Sequence, residues 1–218
     1  MMYRTCLFIY LLVVWSTQAQ EFNQNWQGHF SYFNVTGLSS GSNQLYAAAE
    51  NAYFIHDLTT SQNSTVSSIN GLSGETISAI YHSDNFQLTV LGFNSGLLQI
   101  VMDNNQNVFT VVDILNKTSI SPNRKRINHF FEFDGQLYIS TDFGIAVYDL
   151  QNLEFGDSFF IGDNAGLLEI QQIQVFNNTI CAATLNGGIR IADVDNPDLV
   201  DFNEWQSINT GSWKKIQA

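Results

Sequence analysis

The sequence predicts an all-β fold: a β-propeller built of four-stranded blades, with about four blades present. Three observations carry this. Residues 134–150 read as a hairpin, because Leu137, Ile139 and Thr141 alternate with Tyr138 and Ser140, Gly144 supplies a turn, and Ile145, Val147 and Tyr148 start a second strand. The pattern recurs at residues 44–58, 87–101 and 179–193, and Leu45, Leu88, Leu137 and Ile180 are spaced by about 43, 49 and 43 residues, the interval of propeller blades. No long segment has the i, i+3, i+4 spacing of a helix, and the two prolines, Pro122 and Pro197, fall in connecting loops.

Residues 1–19 have the pattern of a secretory leader, with Arg4 ahead of an apolar run over residues 7–15 and small residues at Thr17 and Ala19. Cleavage is expected between Ala19 and Gln20. The run is shorter than the roughly 20 residues needed to cross a bilayer, so the chain is expected to be exported, with residues 20–218 forming the propeller domain. Removal of Cys6 with the leader leaves Cys181 without an intrachain partner, and its place in a strand marks it as a core residue. The formal charge is −12, and loss of Arg4 makes it −13. So acidic a chain is not expected to bind nucleic acid or an anionic surface non-specifically.

The blades follow in order. Aromatic residues Trp26, His29, Phe30 and Tyr32 precede the first repeat and offer a strand to a blade completed elsewhere in the chain. The first repeat ends with a strand near residues 65–69, and Asn70-Gly71-Leu72-Ser73-Gly74 is a boundary turn. The second opens at residues 77–81, turns at Asp84-Asn85 and again at residues 93–96, and closes over residues 108–114. Residues 117–126 form the longer link to the third repeat, which opens at 127–133 and ends in a strand at 158–161. The fourth opens at 170–176 and closes over 193–199.

The chemistry-bearing residues are sparse. His29, His56, His82 and His129 are too widely spaced to place two on one element as metal ligands. Asp195 and Asp198 lack the glycine and terminal glutamate of a calcium loop and read as an Asx turn. No nucleophile elbow or phosphate-binding loop is present, so no catalytic residue, metal site or cofactor is expected. Arg124, Lys125 and Arg126 form the one basic cluster of the mature chain. It reads either as a contact for an anionic ligand, such as a phosphate or sugar acid, or as a solvated loop tip.

The wording of the blades resembles two propeller families. Ile69-Asn70-Gly71-Leu72-Ser73 followed by Ile77-Ser78-Ala79-Ile80 resembles the blade junction of two-component-regulator propellers. Three longer stretches resemble, in order, the N-terminal propeller of the PorZ family: Trp26-Gln27-Gly28-His29-Phe30-Ser31-Tyr32, residues 142–150, and residues 196–205. That resemblance implies a non-enzymatic component of the type IX secretion system at the cell surface or outer membrane of Bacteroidetes-type bacteria, reached through the periplasm. Members of the family carry two propellers and a C-terminal β-sandwich, bind anionic lipopolysaccharide and deliver it to the sortase. The expected partners are therefore anionic lipopolysaccharide or another surface glycan and the proteins of the attachment complex, with Arg124, Lys125 and Arg126 as candidate contacts. The alternative is the periplasmic ligand-sensing propeller of a hybrid two-component histidine kinase; a glycan-active extracellular enzyme is more distant.

The same resemblance implies a seven-bladed ring of on the order of 315 residues, against roughly 180 for four repeats. An incomplete ring is expected, with residues 205–208 reading as a further strand and residues 213–216 beginning another. A closed four-bladed ring is the alternative, and needs the segment after Asp201 to complete the first blade beside residues 22–32.

Overall fold

The computed structural model describes residues 33–216. The leader, its Ala19–Gln20 cleavage site and the aromatic stretch at residues 22–32 lie outside the described residues.

Among the described residues four antiparallel sheets of four strands follow one another. Blade 1 holds β1 (Val35–Ser40), β2 (Gln44–Ala49), β3 (Ala52–Asp57) and β4 (Asn63–Val66). Blade 2 holds β5 (Ile77–Ser83), β6 (Leu88–Phe93), β7 (Leu98–Met102) and β8 (Val108–Val111). Blade 3 holds β9 (Ile127–Phe133), β10 (Gln136–Thr141), β11 (Ile145–Asp149) and β12 (Glu154–Phe159). Blade 4 holds β13 (Ile170–Phe176), β14 (Thr179–Thr184), β15 (Ile189–Asp193) and β16 (Gln206–Ile208).

The β10–β11 hairpin forms in the register the alternation demands, Gln136 opposite Asp149 and Ser140 opposite Ile145. Its turn is closed by Thr141, whose Oγ1 donates to the Gly144 carbonyl at 2.8 Å and accepts the Phe143 and Gly144 amides. Gly144 sits at φ +153°, where an added Cβ would run into the Phe159 carbonyl, so the turn requires glycine. Blade 4 repeats the device with Thr184 and Gly188, whose carbonyl accepts from Thr184 Oγ1 at 2.8 Å.

The apolar side chains of the described residues do not form one central core. They form three seams between consecutive blades: Tyr46, Tyr53 and Val66 against Ile77, Leu91 and Phe93; Leu88, Val90 and Ile100 against Ile127, Phe130 and Leu137; and Tyr138, Val147 and Phe159 against Ile173, Ile180 and Ala192. Each fully buried side chain of this size contributes ~1.5–3 kcal/mol, so a blade's stability lies largely in its neighbours. Among the described residues no apolar seam joins blades 1 and 4, and the four blades form an open arc rather than a closed ring.

The closed-ring alternative fails because the segment after Asp201 is used elsewhere. Residues 206–208 are the outer strand of blade 4, with Ile208 opposite Ile189 and Gln206 opposite Ile191. Residues 193–199, the expected close of the fourth repeat, form the expected Asx turn, in which Asp193 Oδ1 accepts the Asp195 amide and Asn196 Oδ1 accepts the Asp198 amide, and the strand read at residues 205–208 is the one that closes blade 4. Pro197 removes a further donor from that stretch, and Trp205 pins the true outer strand. Its indole is buried beside Phe159 and donates from Nε1 to the Leu199 carbonyl at 2.9 Å.

Other boundaries also move. The inner strand of blade 1 is β1, whose alternation is interrupted by Gly37. The outer strand of blade 1 stops at Val66, because Ser67 caps a 3-10 turn (Ser68–Asn70) that leaves Ile69 exposed. The outer strand of blade 3 lies at Glu154–Phe159 rather than at residues 158–161, and Phe159 supplies its buried end.

Candidate functional site

The four inner strands converge on one groove, and a repeated irregularity shapes it. Each carries a β-bulge near its start, leaving Thr36, Ser78, Asn128 and Gln171 out of the pairing ladder. A bulge re-aims a side chain, and here the first three donate to the first residue of the next inner strand. Thr36 Oγ1 reaches the Ile77 carbonyl at 3.0 Å, Ser78 Oγ the Ile127 carbonyl at 2.7 Å, and Asn128 Nδ2 the Ile170 carbonyl at 2.9 Å. These bonds hold the inner strands side by side along the groove.

The groove has two lobes, of about 460 and 590 Å³, that meet at Leu38, Ile80, His129 and Phe130. In the first lobe the positions after the bulges are Gly37 and Ala79 in blades 1 and 2, which leave space, and His129 and Gln172 in blades 3 and 4, which fill it with polar groups. Lys214 and Lys215 form a further wall. They are exposed but anchored on both sides: the Trp213 amide donates to the Thr184 carbonyl at 2.9 Å, and the Ile216 amide to Gln172 Oε1 at 2.9 Å. The second lobe is lined by hydroxyls and rings, including Ser39, Ser40, Tyr81 and Phe131.

Among the described residues no carboxylate lines either lobe, although the chain carries 20 acidic residues against 8 lysines and arginines. Glu169, beside the first lobe, is engaged by Gln171 Nε2 at 2.8 Å. His129 is held neutral at physiological pH: burial, then the nearby Lys215 ammonium, push its imidazole down to about 4. Its Nδ1 is buried and has no hydrogen-bond partner.

The structure separates the three basic residues singled out from the sequence. Lys125 is buried and its Nζ donates to the Leu115 carbonyl at 2.6 Å, so it closes the linker between blades 2 and 3 instead of facing solvent. Arg124 is half-buried and Arg126 exposed. The cluster is therefore not one basic surface: the alternation of a short turn sends adjacent side chains in different directions. Among the described residues no group of three or more His, Cys, Asp or Glu is placed to hold a metal ion. Cys181 is only partly buried, and burial raises its thiol above the usual range.

His82 is also fixed structurally. It is buried, stacks on Tyr46 at 4.0 Å between ring centroids, and places Nε2 3.0 Å from Asp103 Oδ2. With the Ser39 hydroxyl accepting its backbone amide at 2.8 Å, it ties blade 1 to blade 2. Sequence reasoning weighs His129 as a metal ligand alone and reads residues 213–216 as the start of a strand, without joining His129, Lys214 and Lys215 in one site, because their shared groove depends on strands some 40 to 90 residues apart.

Comparison with solved structures places this architecture among β-propellers. The crystal structure of PorZ, a bacterial surface component of the type IX secretion system of Porphyromonas gingivalis, superposes with a TM-score of 0.69 at 16% identity, covering 84% of this chain and 24% of PorZ. The extracellular domain of a putative hybrid two-component system from B. thetaiotaomicron gives a TM-score of 0.62 at 18% identity, covering 85% of this chain and 23% of that one. The WD40 repeats of RRP9 give 0.58 at 13% identity, covering 77% and 49%. At these identities the likeness is one of fold, and the chain spans about a quarter of the length of the first two. A search of the curated proteins finds no match. The family model of the PorZ N-terminal β-propeller domain of the type IX secretion system, however, matches residues 45–206, most of the sequence, and the chain belongs to that family.

Proposed function

We propose that this propeller is a non-enzymatic binding module of the type IX secretion machinery, exported and displayed at the bacterial surface, with an anionic lipopolysaccharide or a related surface glycan as its ligand. The observation that carries this is the family match over residues 45–206, which runs from β2 of blade 1 to the start of β16 in blade 4. The groove supports it: its walls offer amides, hydroxyls, rings and ammonium groups suited to a hydroxyl-rich anion, with no carboxylate among the described lining residues to repel one. Affinity capture of the full chain from outer-membrane fractions tests the reading. Co-purification of anionic lipopolysaccharide together with the secretion sortase is expected, and recovery of neither would contradict it.

The second reading is a ligand-sensing propeller of a hybrid two-component system. It is favoured by the likeness to the B. thetaiotaomicron domain over the same share of the chain. Loss of a glycan-induced transcriptional response on deletion, with secretion intact, would select it over the first.

A further inference from the structure

We propose that the first lobe of the groove is the anion-binding site, taking a phosphate or carboxylate of a glycan between the ammonium groups of Lys214 and Lys215 and the imidazole of His129, while the sugar rings run past Phe130 into the second lobe beside Tyr81. This rests on the glycan-binding reading and assigns it to a place.

Four features of the lobe converge on such a ligand. Its volume of about 460 Å³ is that of a small-molecule site. Its cations are not free-swinging, since the segment carrying Lys214 and Lys215 is tied at Trp213 to Thr184 and at Ile216 to Gln172. Fixing the backbone on both sides lowers the ordering cost when the ammonium groups close on an anion. The buried, unpartnered Nδ1 of His129 is a polar group in want of a partner, and buried polar groups seldom lack one. Finally, the hydroxyls of Thr36 and Ser78 and the amide of Asn128 are spent on the neighbouring blade, so these side chains build the wall and leave binding to His129, Gln172 and the lysines.

The second lobe supplies what the first lacks. Tyr81 and Phe131 are half-buried rings, and the Ser39 and Ser40 side chains lie near them. Aromatic faces and hydroxyls suit the apolar faces and edges of sugar rings. A second polar pocket, at the edge of blade 4, is lined by Asp193 and Glu204 and has the wrong sign for an anion.

The test is calorimetric titration of the full chain with purified anionic lipopolysaccharide, a uronic-acid oligosaccharide, a neutral oligosaccharide of the same length, and inorganic phosphate. Wild type is expected to bind the lipopolysaccharide and to discriminate against the neutral sugar; response to phosphate or to the uronic acid identifies which anion is read. Lys214→Gln/Lys215→Gln is expected to weaken lipopolysaccharide binding by ~10-fold or more, the loss of at least one charge-assisted hydrogen bond. Both lysines are exposed, so the fold is not at stake. Arg124→Gln/Arg126→Gln is expected to bind as wild type. Titration of His129 by NMR gives an independent readout, its pKa rising when the anion is bound. Undiminished binding by the lysine variant, with an unmoved His129, overturns the assignment to this lobe while glycan binding stands. No binding by wild type to any anionic probe overturns both.

Discussion

Ser78 Oγ donates to the Ile127 carbonyl across the seam between blades 2 and 3 at 2.7 Å, from a bulge position that Thr36 and Asn128 occupy in the blades on either side. The strand registers thus carry a repeated polar stitch along the inner rim, added to apolar seams that lie farther out. Ser78→Ala leaves the Ile127 carbonyl without that donor and should destabilise by ~1–2 kcal/mol, measured by urea unfolding. Restoring stability with Ser78→Thr, as blade 1 naturally uses, would attribute the loss to the hydroxyl rather than to packing.

Gly92 is the penultimate residue of β6, where strand preference alone favours almost any other residue. A Cβ there would lie 2.5 Å from Ile127 Cγ2 and 2.9 Å from the Phe130 ring. Gly92→Ala should therefore destabilise, by ~1–3 kcal/mol, through forced separation of blades 2 and 3. A gain in stability would mean that the seam is looser than described.

Trp205 is expected to govern the outer edge of blade 4. Trp205→Ala removes its contact with Phe159 and its hydrogen bond to Leu199, costing ~3–5 kcal/mol. Hydrogen exchange should show β16 losing protection first, since it pairs with β15 at just three positions.

Two groups give a signed pH dependence. His129 has a folded value near 4, below its unfolded value of about 6.5, so stability is whole above about pH 6.5 and declines as pH falls toward about 4. The loss is on the order of 3 kcal/mol, and His129→Phe should flatten it in thermal melts. Asp149 is held low first by the Asn152 amide, and its contribution is present above the ordinary carboxylate value and lost as pH falls below about 4. It affects a later and separate part of the acid limb.

The fold was legible because the signal was local and repeated. The β10–β11 and β14–β15 hairpins carry their alternation, turn threonine and glycine within some 15 residues. β9 and β13 begin and end where the alternation places them. Legibility failed where tertiary context decides. β1 is broken by Gly37, where an added Cβ would lie 3.1 Å from Ile80 Cγ2 of the next blade. β16 was legible as a strand at residues 205–208, but its place as the outer strand of blade 4 depends on Trp205 reaching Leu199 and Phe159. The burial of Lys125 was hidden for a similar reason: nothing in Arg124-Lys125-Arg126 announces that the middle side chain bonds to Leu115. The groove residues were the least visible, because His129 and Lys215 meet only after blade 4 is in place.

Salt dependence of lipopolysaccharide binding tests the central claim most directly, because two electrostatic effects oppose one another. The chain carries a net −12, which repels an anionic ligand at long range, whereas Lys214 and Lys215 attract it at contact. Affinity is to be measured for the full chain at about 50 mM and about 300 mM salt, where screening differs strongly. Binding through the groove predicts a Kd that rises with salt, since contact ion pairs are weakened. A Kd that falls or stays constant with salt, or no binding at either concentration, would contradict anionic-glycan recognition at this site.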